Sequence, residues 1–419
     1  MAQPTGALSS RVRSSQVAAT LAFTGVYLLF CLQHVVVGSG FGEGISLGST
    51  ALRLVGIGTS LVFLVRAGIP GRLRAPLVAI GGCLAVLTVS TALSEHRLIA
   101  MKFGVRYATQ LLLLWCILNI LVLHPNLRGA IGRALVIALW VALVVGLGGR
   151  YGIAWIADLG LWFHGPDAVR YLPRIIGLYE HPATFGAIAV VVTVMAAQLH
   201  DEGAIGRPTL VAAIAGTAIT LVLTEARNPV LPLLALAAAF TVTRRGRQRQ
   251  LALTMLGVLV ALVAVMIWAR YDELTSASRE SLATMFSLGR TYIMRGAFDA
   301  WTQHPLWGLG PGVFQFLTPD FTGGRFLRGE LHAHNLVLGI LSETGLVGLA
   351  AITSLAAVLM APAWSGRSGA SGLRWMLIWL VVMLSLGLFD FYLPFYGFAL
   401  HISVAAGLVF THPRTEAPA

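Results

Sequence analysis

APLVAIGGCLAVLTVSTALS, residues 75–94, decides what kind of molecule this is. Twenty consecutive positions carry no Asp, Glu, Lys or Arg. As a helix rising 1.5 Å per residue the segment is about 30 Å long, the thickness of the hydrocarbon core of a bilayer. It has no polar face, so such a helix belongs inside a large protein core or inside lipid. Comparable runs recur at 17–38, 51–68, 105–124, 130–148, 183–199, 208–224, 229–243, 250–269, 333–361, 373–390 and 393–411. Of the 419 residues 57% are hydrophobic and 11% charged, where a soluble domain carries roughly 25% charged residues. Water leaves no place to hide that much apolar surface.

Only helices and closed barrels satisfy their backbone within lipid. Barrel strands alternate over about 10 residues, and these runs are longer and uniformly apolar. The expected fold is therefore all-α, a polytopic integral membrane helix bundle of twelve spans. Residues 1–16 form a cytoplasmic tail and 17–269 the first nine spans, with an outward loop near 149–182. A large outward loop at 270–332, the last three spans at 333–411 and a tail at 412–419 complete the chain. The first span, behind Arg11 and Arg13, is longer than a signal-peptide core and reads as uncleaved.

The net charge is +12, and Lys102 is the only lysine. Arg72, Arg74, Arg128, Arg133, Arg244, Arg245, Arg247, Arg249, Arg367 and Arg374 fall on alternate connections, on one side with Arg11, Arg13 and Arg414. The positive-inside bias makes that side cytoplasmic. A basic chain of this kind binds a membrane surface, not nucleic acid. One outward connection disagrees: Arg97, Lys102 and Arg106 are basic, which points to an anionic lipid or substrate there, or to misplaced third and fourth spans. Cys31, Cys83 and Cys116 sit in apolar runs and read as small buried hydrophobes. No Cys/His cluster has zinc spacing and no DxD is present, so the chain is expected to need neither metal nor cofactor.

Three outward segments carry candidate chemistry. LTEARNPVLP gathers Glu225, Arg227 and Asn228 in one tight turn, where a snorkelling arginine is the simpler reading of Arg227. SLGRTYIMRGAFDAW has helical spacing. Arg290 and Arg295 are five apart and do not share a face, so one can meet a site while the other meets water. HPLWGLGPGVFQF then breaks the helix. GELHAHNLVLGILSETGLVG places His332 and His334 at the outer end of a span, with Asn335 as a helix cap. A neutral imidazole there suits a general base, although a lone interfacial histidine is more often structural. Glu343 falls about 13–15 Å below His334 along the helix. It reads equally as a functional carboxylate, an arginine's partner, or a neighbour of a break at Gly345. Guanidinium groups at a lipid boundary beside a base suit a phosphate- or pyrophosphate-linked lipid.

EARNP, GRTYIMRGAFDAWTQHPLWGLGPGVF and HAHNLVLGILSETGLVG, in this order across roughly residues 180–350, resemble the O-antigen ligase/O-antigen polymerase superfamily of bacterial inner-membrane glycosyltransferases. Ala226 stands where serine is common before the arginine, a mild departure. The resemblance implies a GT-C-like architecture with twelve spans and a large periplasmic loop. It implies a metal-independent, inverting transfer of glycan from undecaprenyl pyrophosphate to an acceptor sugar, which in ligases is the lipid A–core oligosaccharide. By motif match Arg227 and Arg290 hold the pyrophosphate and His334 is the base; His332 and Arg295 are weaker matches, as is Arg174 before GLYEHPATFG. Glu343, Asn335 and Glu225 stand behind these as supporting residues. An O-antigen polymerase, with a growing lipid-linked glycan as acceptor, and a twelve-helix transporter are the competing readings. The clustering of polar candidates on one face argues against the transporter.

Overall fold

The computed structural model describes residues 70–153, 174–179, 181–226, 228–243, 290–322, 332–365, 369–390 and 396–413, with single residues at 250, 253 and 257. The expected spans at 17–38, 51–68 and nearly all of 250–269 lie outside these residues. So do Arg227, the arginine cluster at 244–249, Arg367, most of the outward loop at 149–182 and nearly half of the one at 270–332.

Among the described residues the structure is all-α, without strands. The helices are α1 (Arg74–Leu93), α2 (Arg97–Leu123), α3 (Arg128–Arg150), α4 (Pro182–Asp201), α5 (Arg207–Thr224) and α6 (Val230–Thr243). They continue with α7 (Arg290–Gln303), α8 (Val313–Phe321), α9 (Leu336–Trp364), α10 (Gly369–Phe389) and α11 (Tyr396–Phe410). Seven of the described helical stretches are long and apolar enough to cross a membrane, and α11 is a shorter apolar helix. The chain is a multi-pass membrane protein.

Helix α4 is the axis of the bundle. It packs against α3, α5, α10 and α11, and nearly every side chain from Pro182 to Leu199 is buried. Lipid is as apolar as the helices, so the drive to associate comes from close packing and hydrogen bonds rather than from transfer out of water. The sequence supplies both. Small residues such as Gly186, Ala187 and Ala189 admit neighbouring backbones. The Thr193 and Thr217 hydroxyls meet at 2.7 Å, and Thr217 donates to the Ala189 carbonyl at 2.8 Å, tying α4 to α5.

One end of the bundle is held by buried charge. Arg128, at the start of α3, donates through Nε and Nη2 to Glu202 Oε2 at 3.1 and 2.5 Å. Its Nη1 reaches the carbonyl of Thr411, and its Nη2 that of Leu408, at the C-terminal end of α11. Gln198 donates to the other Glu202 oxygen at 2.9 Å, and His412 Nδ1 lies 2.7 Å from it. Burial pushes the Glu202 carboxyl upward, but the bonds from His412, Arg128 and Gln198 and the Arg128 charge outweigh it and hold the group below the ordinary carboxylate range. Arg374 and Trp375 of α10 bond Asp201 alongside.

The opposite end is built around a break in α9. Gly345 has φ 66° and ψ −165°, far outside helical values. The turn 304–312 fits into that break and exchanges backbone bonds with it. Leu309 N donates to Ser342 O and Gly310 N to Glu343 O, both at 2.9 Å. In return Leu346 N reaches Pro305 O at 2.9 Å and Val347 N reaches Leu306 O at 3.2 Å. Side chains are excluded where the two strands of backbone cross: a Cβ on Gly308 would collide with the Glu343–Thr344 peptide, and one on Gly345 with the Leu306–Trp307 peptide. Ser90 and Ser94 at the end of α1 cap the turn, donating to Trp307 O at 2.8 Å and Leu309 O at 2.6 Å. The expected helix-breaking string thus ends sooner than its sequence suggests. Irregular backbone stops at Gly312, and VFQF begins α8. Ser90, in the last turn of α1, donates to Glu343 O at 3.2 Å beside the break, and residues 345–364 make about 30 Å of helix, long enough to cross the hydrocarbon core.

Candidate active site

The break in α9 and the turn locked into it bring α7 and the start of α9 together. Ile293, Ala297 and Ala300 of α7 pack with Phe314 and Ala333 in one small core. Arg290 lies three residues before Ile293 of that core, and His334 follows its Ala333.

Asn335 is the N-cap of α9; its Oδ1 accepts from Leu338 N at 3.0 Å and its Nδ2 donates to Leu388 O at 3.2 Å. His334 lies just before the cap with φ 50°, a left-handed conformation that a residue with a Cβ adopts at a cost of order 1–3 kcal/mol. There its Nδ1 lies 3.1 Å from Asp390 Oδ1, at the end of α10. The histidine side chain is 22% exposed and the aspartate 9%, so the pair is largely desolvated yet open at one edge. A proton on Nδ1, shared with the carboxylate, leaves Nε2 as the acceptor. His332, two residues earlier, is half-buried.

Arg290 starts α7 and donates through Nη1 to Asn228 Oδ1 at 3.0 Å, so α7 is tied to the turn after α5. Arg227, next to Asn228, lies outside the described residues. Arg295 is exposed, on the side of α7 away from the Ile293–Ala297–Ala300 face. Glu225 closes α5 in a left-handed conformation, φ 51°. Arg174 spends its Nε on the Thr224 carbonyl at 2.7 Å, and Ile175 N takes Leu223 O at 3.1 Å. These bonds satisfy orphan carbonyls at the α5 C-terminus and give Arg174 a structural duty beside any other.

Glu343 is 3% exposed, two residues before the break. The Tyr107 hydroxyl donates to Oε2 at 2.9 Å and the Gly312 amide donates to the same carboxyl. It lines a cavity of about 370 Å³ between α1, α2, α9, α10 and α11. That cavity runs along α9 from Leu336, two residues after His334, to Met360, and apart from Tyr107, Gln110, Glu343 and a few hydroxyls its wall is apolar.

Two residues at this end were not singled out from the sequence. Asp390 ends α10 as an isolated acid between two apolar spans, a pattern that by itself flags a polar site. His181 is the N-cap of α4, accepting from Ala183 N on Nδ1 at 3.0 Å, with Pro182 following. Burial pushes its imidazole pKa down to about 4; the Asp390 charge pulls it up, and Arg174, His334 and Arg290 push it further down. One imidazole therefore feels the charges of four residues from four separate segments, Asp390, Arg174, His334 and Arg290.

An all-α membrane bundle with a histidine–carboxylate pair and arginines gathered at one end is the class this geometry defines. Residues 210–353, from within α5 into α9 and about a third of the chain, match the family model described as O-antigen ligase, which supports the O-antigen ligase/polymerase superfamily. That points to a glycosyltransferase-like enzyme of O-antigen processing. No curated protein matches the chain.

Proposed function

We propose that this chain moves O-antigen glycan from undecaprenyl pyrophosphate to a sugar hydroxyl of the lipid A–core oligosaccharide, at the periplasmic face of the bacterial inner membrane. The observation that carries the reading is the 3.1 Å contact between His334 Nδ1 and Asp390 Oδ1, beside a His181 imidazole that also feels the Arg290 charge. Asp390 holds the imidazole with its proton on Nδ1, and Nε2 accepts the proton of the acceptor hydroxyl. The acceptor oxygen attacks the anomeric carbon as the bond to pyrophosphate breaks on the opposite face. The configuration inverts and no glycosyl–enzyme bond forms. Arg290, anchored by Asn228, and Arg227 take the charge that develops on the leaving phosphate, where a planar guanidinium bonds two oxygens at once. The apolar cavity that begins at Leu336 gives part of the polyprenyl chain a place beside the reacting phosphate.

Purified protein supplied with undecaprenyl-pyrophosphate glycan, with and without lipid A–core, tests this. Glycan should appear on lipid A–core alone, and EDTA should leave the rate unchanged because arginine supplies the positive charge. His334→Ala should still bind donor but lose about 10²–10⁴-fold in transfer, and Asp390→Asn should lose rate with the donor KM unchanged. Wild-type rates in His334→Ala, a covalent glycan on the protein, or rescue of an EDTA-treated sample by Mg²⁺ would sink the mechanism. Lengthening of the donor glycan without lipid A–core would make the enzyme a polymerase.

A further inference from the structure

His181 takes no part in the step assigned to His334, Asp390 and Arg290, yet its ring feels the charges of all three and of Arg174. A packing contact places the start of α4 in the same region. A Cβ on Gly186 would lie 2.8 Å from Ala226 Cβ and 3.1 Å from Pro229 Cγ. The first turns of α4 therefore rest on the turn that carries Asn228, and Asn228 Oδ1 accepts from Arg290 at 3.0 Å. The orientation of the ring is fixed by its cap. Nδ1 accepts the Ala183 amide at 3.0 Å, so the neutral imidazole carries its proton on Nε2. Nε2 lies across the ring from that amide and is directed away from the helix it caps. The side chain is half-buried. Burial, with Arg174, His334 and Arg290 against the single carboxylate of Asp390, brings the imidazole down to about 4, so at neutral pH it is an uncharged N–H donor.

We infer that His181 is a substrate-binding residue, donating from Nε2 to a phosphate oxygen of the polyprenyl pyrophosphate that Arg290 also holds. Two guanidiniums and the positive end of α4 make the surroundings attractive to an anion, whose oxygens are the strongest acceptors on the donor. The neutral state of the ring has a purpose beside the base. As His334 takes the proton of the acceptor hydroxyl it becomes an imidazolium, and a further cation nearby would oppose that charge. An uncharged N–H binds the phosphate without that opposition. A neutral imidazole at a helix N-terminus, its pKa lowered so that it polarises an oxygen without protonating it, is a known catalytic device. Because the cap holds the ring before the substrate arrives, the bond needs no rearrangement when charge develops on the leaving phosphate.

This inference rests on the ligase reading, so its test includes a measurement that needs no transfer. The full chain, in nanodiscs of neutral lipid, is given radiolabelled undecaprenyl pyrophosphate, with no glycan and no acceptor. In His181→Asn the side-chain oxygen keeps the cap, but the amide nitrogen stops one atom short of the Nε2 position. His181→Ala loses both cap and donor. Both variants should weaken binding by about tenfold to a hundredfold, the loss expected for one hydrogen bond to a charged group, while only His181→Ala lowers the melting temperature. The ratio of wild-type to His181→Asn affinity should hold from about pH 5.5 to about pH 8, because the donor is neutral throughout. Wild-type affinity in His181→Asn with weak binding by His181→Ala would reduce His181 to a cap and overturn the inference. So would a wild-type advantage that vanishes as pH rises through 6.5, which would make the group a cation. Equal binding by all three proteins, with glycan transferred to lipid A–core, overturns the inference and leaves the ligase reading standing. Binding that depends on His181, with transfer to neither lipid A–core nor a growing glycan, does the reverse.

Discussion

At His181 burial, a capping bond and two arginines all resist protonation, and only the Asp390 charge favours it. The imidazole is pushed down to about 4 from an ordinary value of 6.5. Between those values the unfolded chain binds a proton that the folded chain refuses, so stability falls as pH drops from about 6.5 to about 4 and levels off below. Allowing for the ring's partial exposure, the loss is on the order of 2 kcal/mol. His181→Asn keeps a good cap acceptor and removes the imidazole. Thermal unfolding in detergent across this range should show a flatter pH slope in the variant; equal slopes would show that the dependence arises elsewhere. His334 and Asn335 stand out in the sequence as polar residues at the end of an apolar run, and Arg290 as an arginine in a loop segment with helical spacing. Asp390 and His181 do not, because their meaning depends on partners distant in the chain. Asp390 meets His334 across 56 residues, and His181 on its own reads as a histidine before a Pro-led helix.

At the scale of elements, the break in α9 is the device that sets α7 against the start of α9. Gly345 occupies a region of backbone space that only glycine enters readily. Gly345→Ala should therefore cost more than about 3 kcal/mol, since strain adds to the collision with the Leu306–Trp307 peptide. Transfer should fall with it as Arg290 loses its position. Gly149→Ala in α3, where a Cβ meets nothing within 4 Å, is the control and should change melting little. Comparable melting and activity in both variants would show that the turn is not keyed to the break. Helices α7 and α9 were readable from spacing and from the Asn cap. The break was signalled by Gly345, but its partner was not, because backbone-to-backbone docking leaves no side-chain signature beyond the glycines that permit it. For the same reason α8 was hidden in a string that reads as pure turn.

At the scale of the whole molecule, the described charged groups collect at two ends and the stretch between them is largely apolar. That much follows from composition and run length, because lipid admits few other arrangements. Which arginines are buried does not follow, and Arg128 illustrates the point. It reads as a loop cation, yet it is 4% exposed and bonded to three separate groups. Removing one side of a buried ion pair strands the other, at about 3–5 kcal/mol. Glu202→Ala should thus lower the melting temperature markedly while sparing the KM for donor, because the cluster stands at the end away from His334. A donor KM that rises in step with the loss of stability would show that the two ends are coupled.

Leu309 and Gly310 hold Ser342 and Glu343, and Leu346 and Val347 hold Pro305 and Leu306, by main-chain bonds. The placement of Arg290 relative to His334 therefore rests largely on peptide groups, and on the proposed reading the side chains around them are free to answer to the sugar. A scaffold of this kind permits the cargo to diversify while the reacting geometry stays the same.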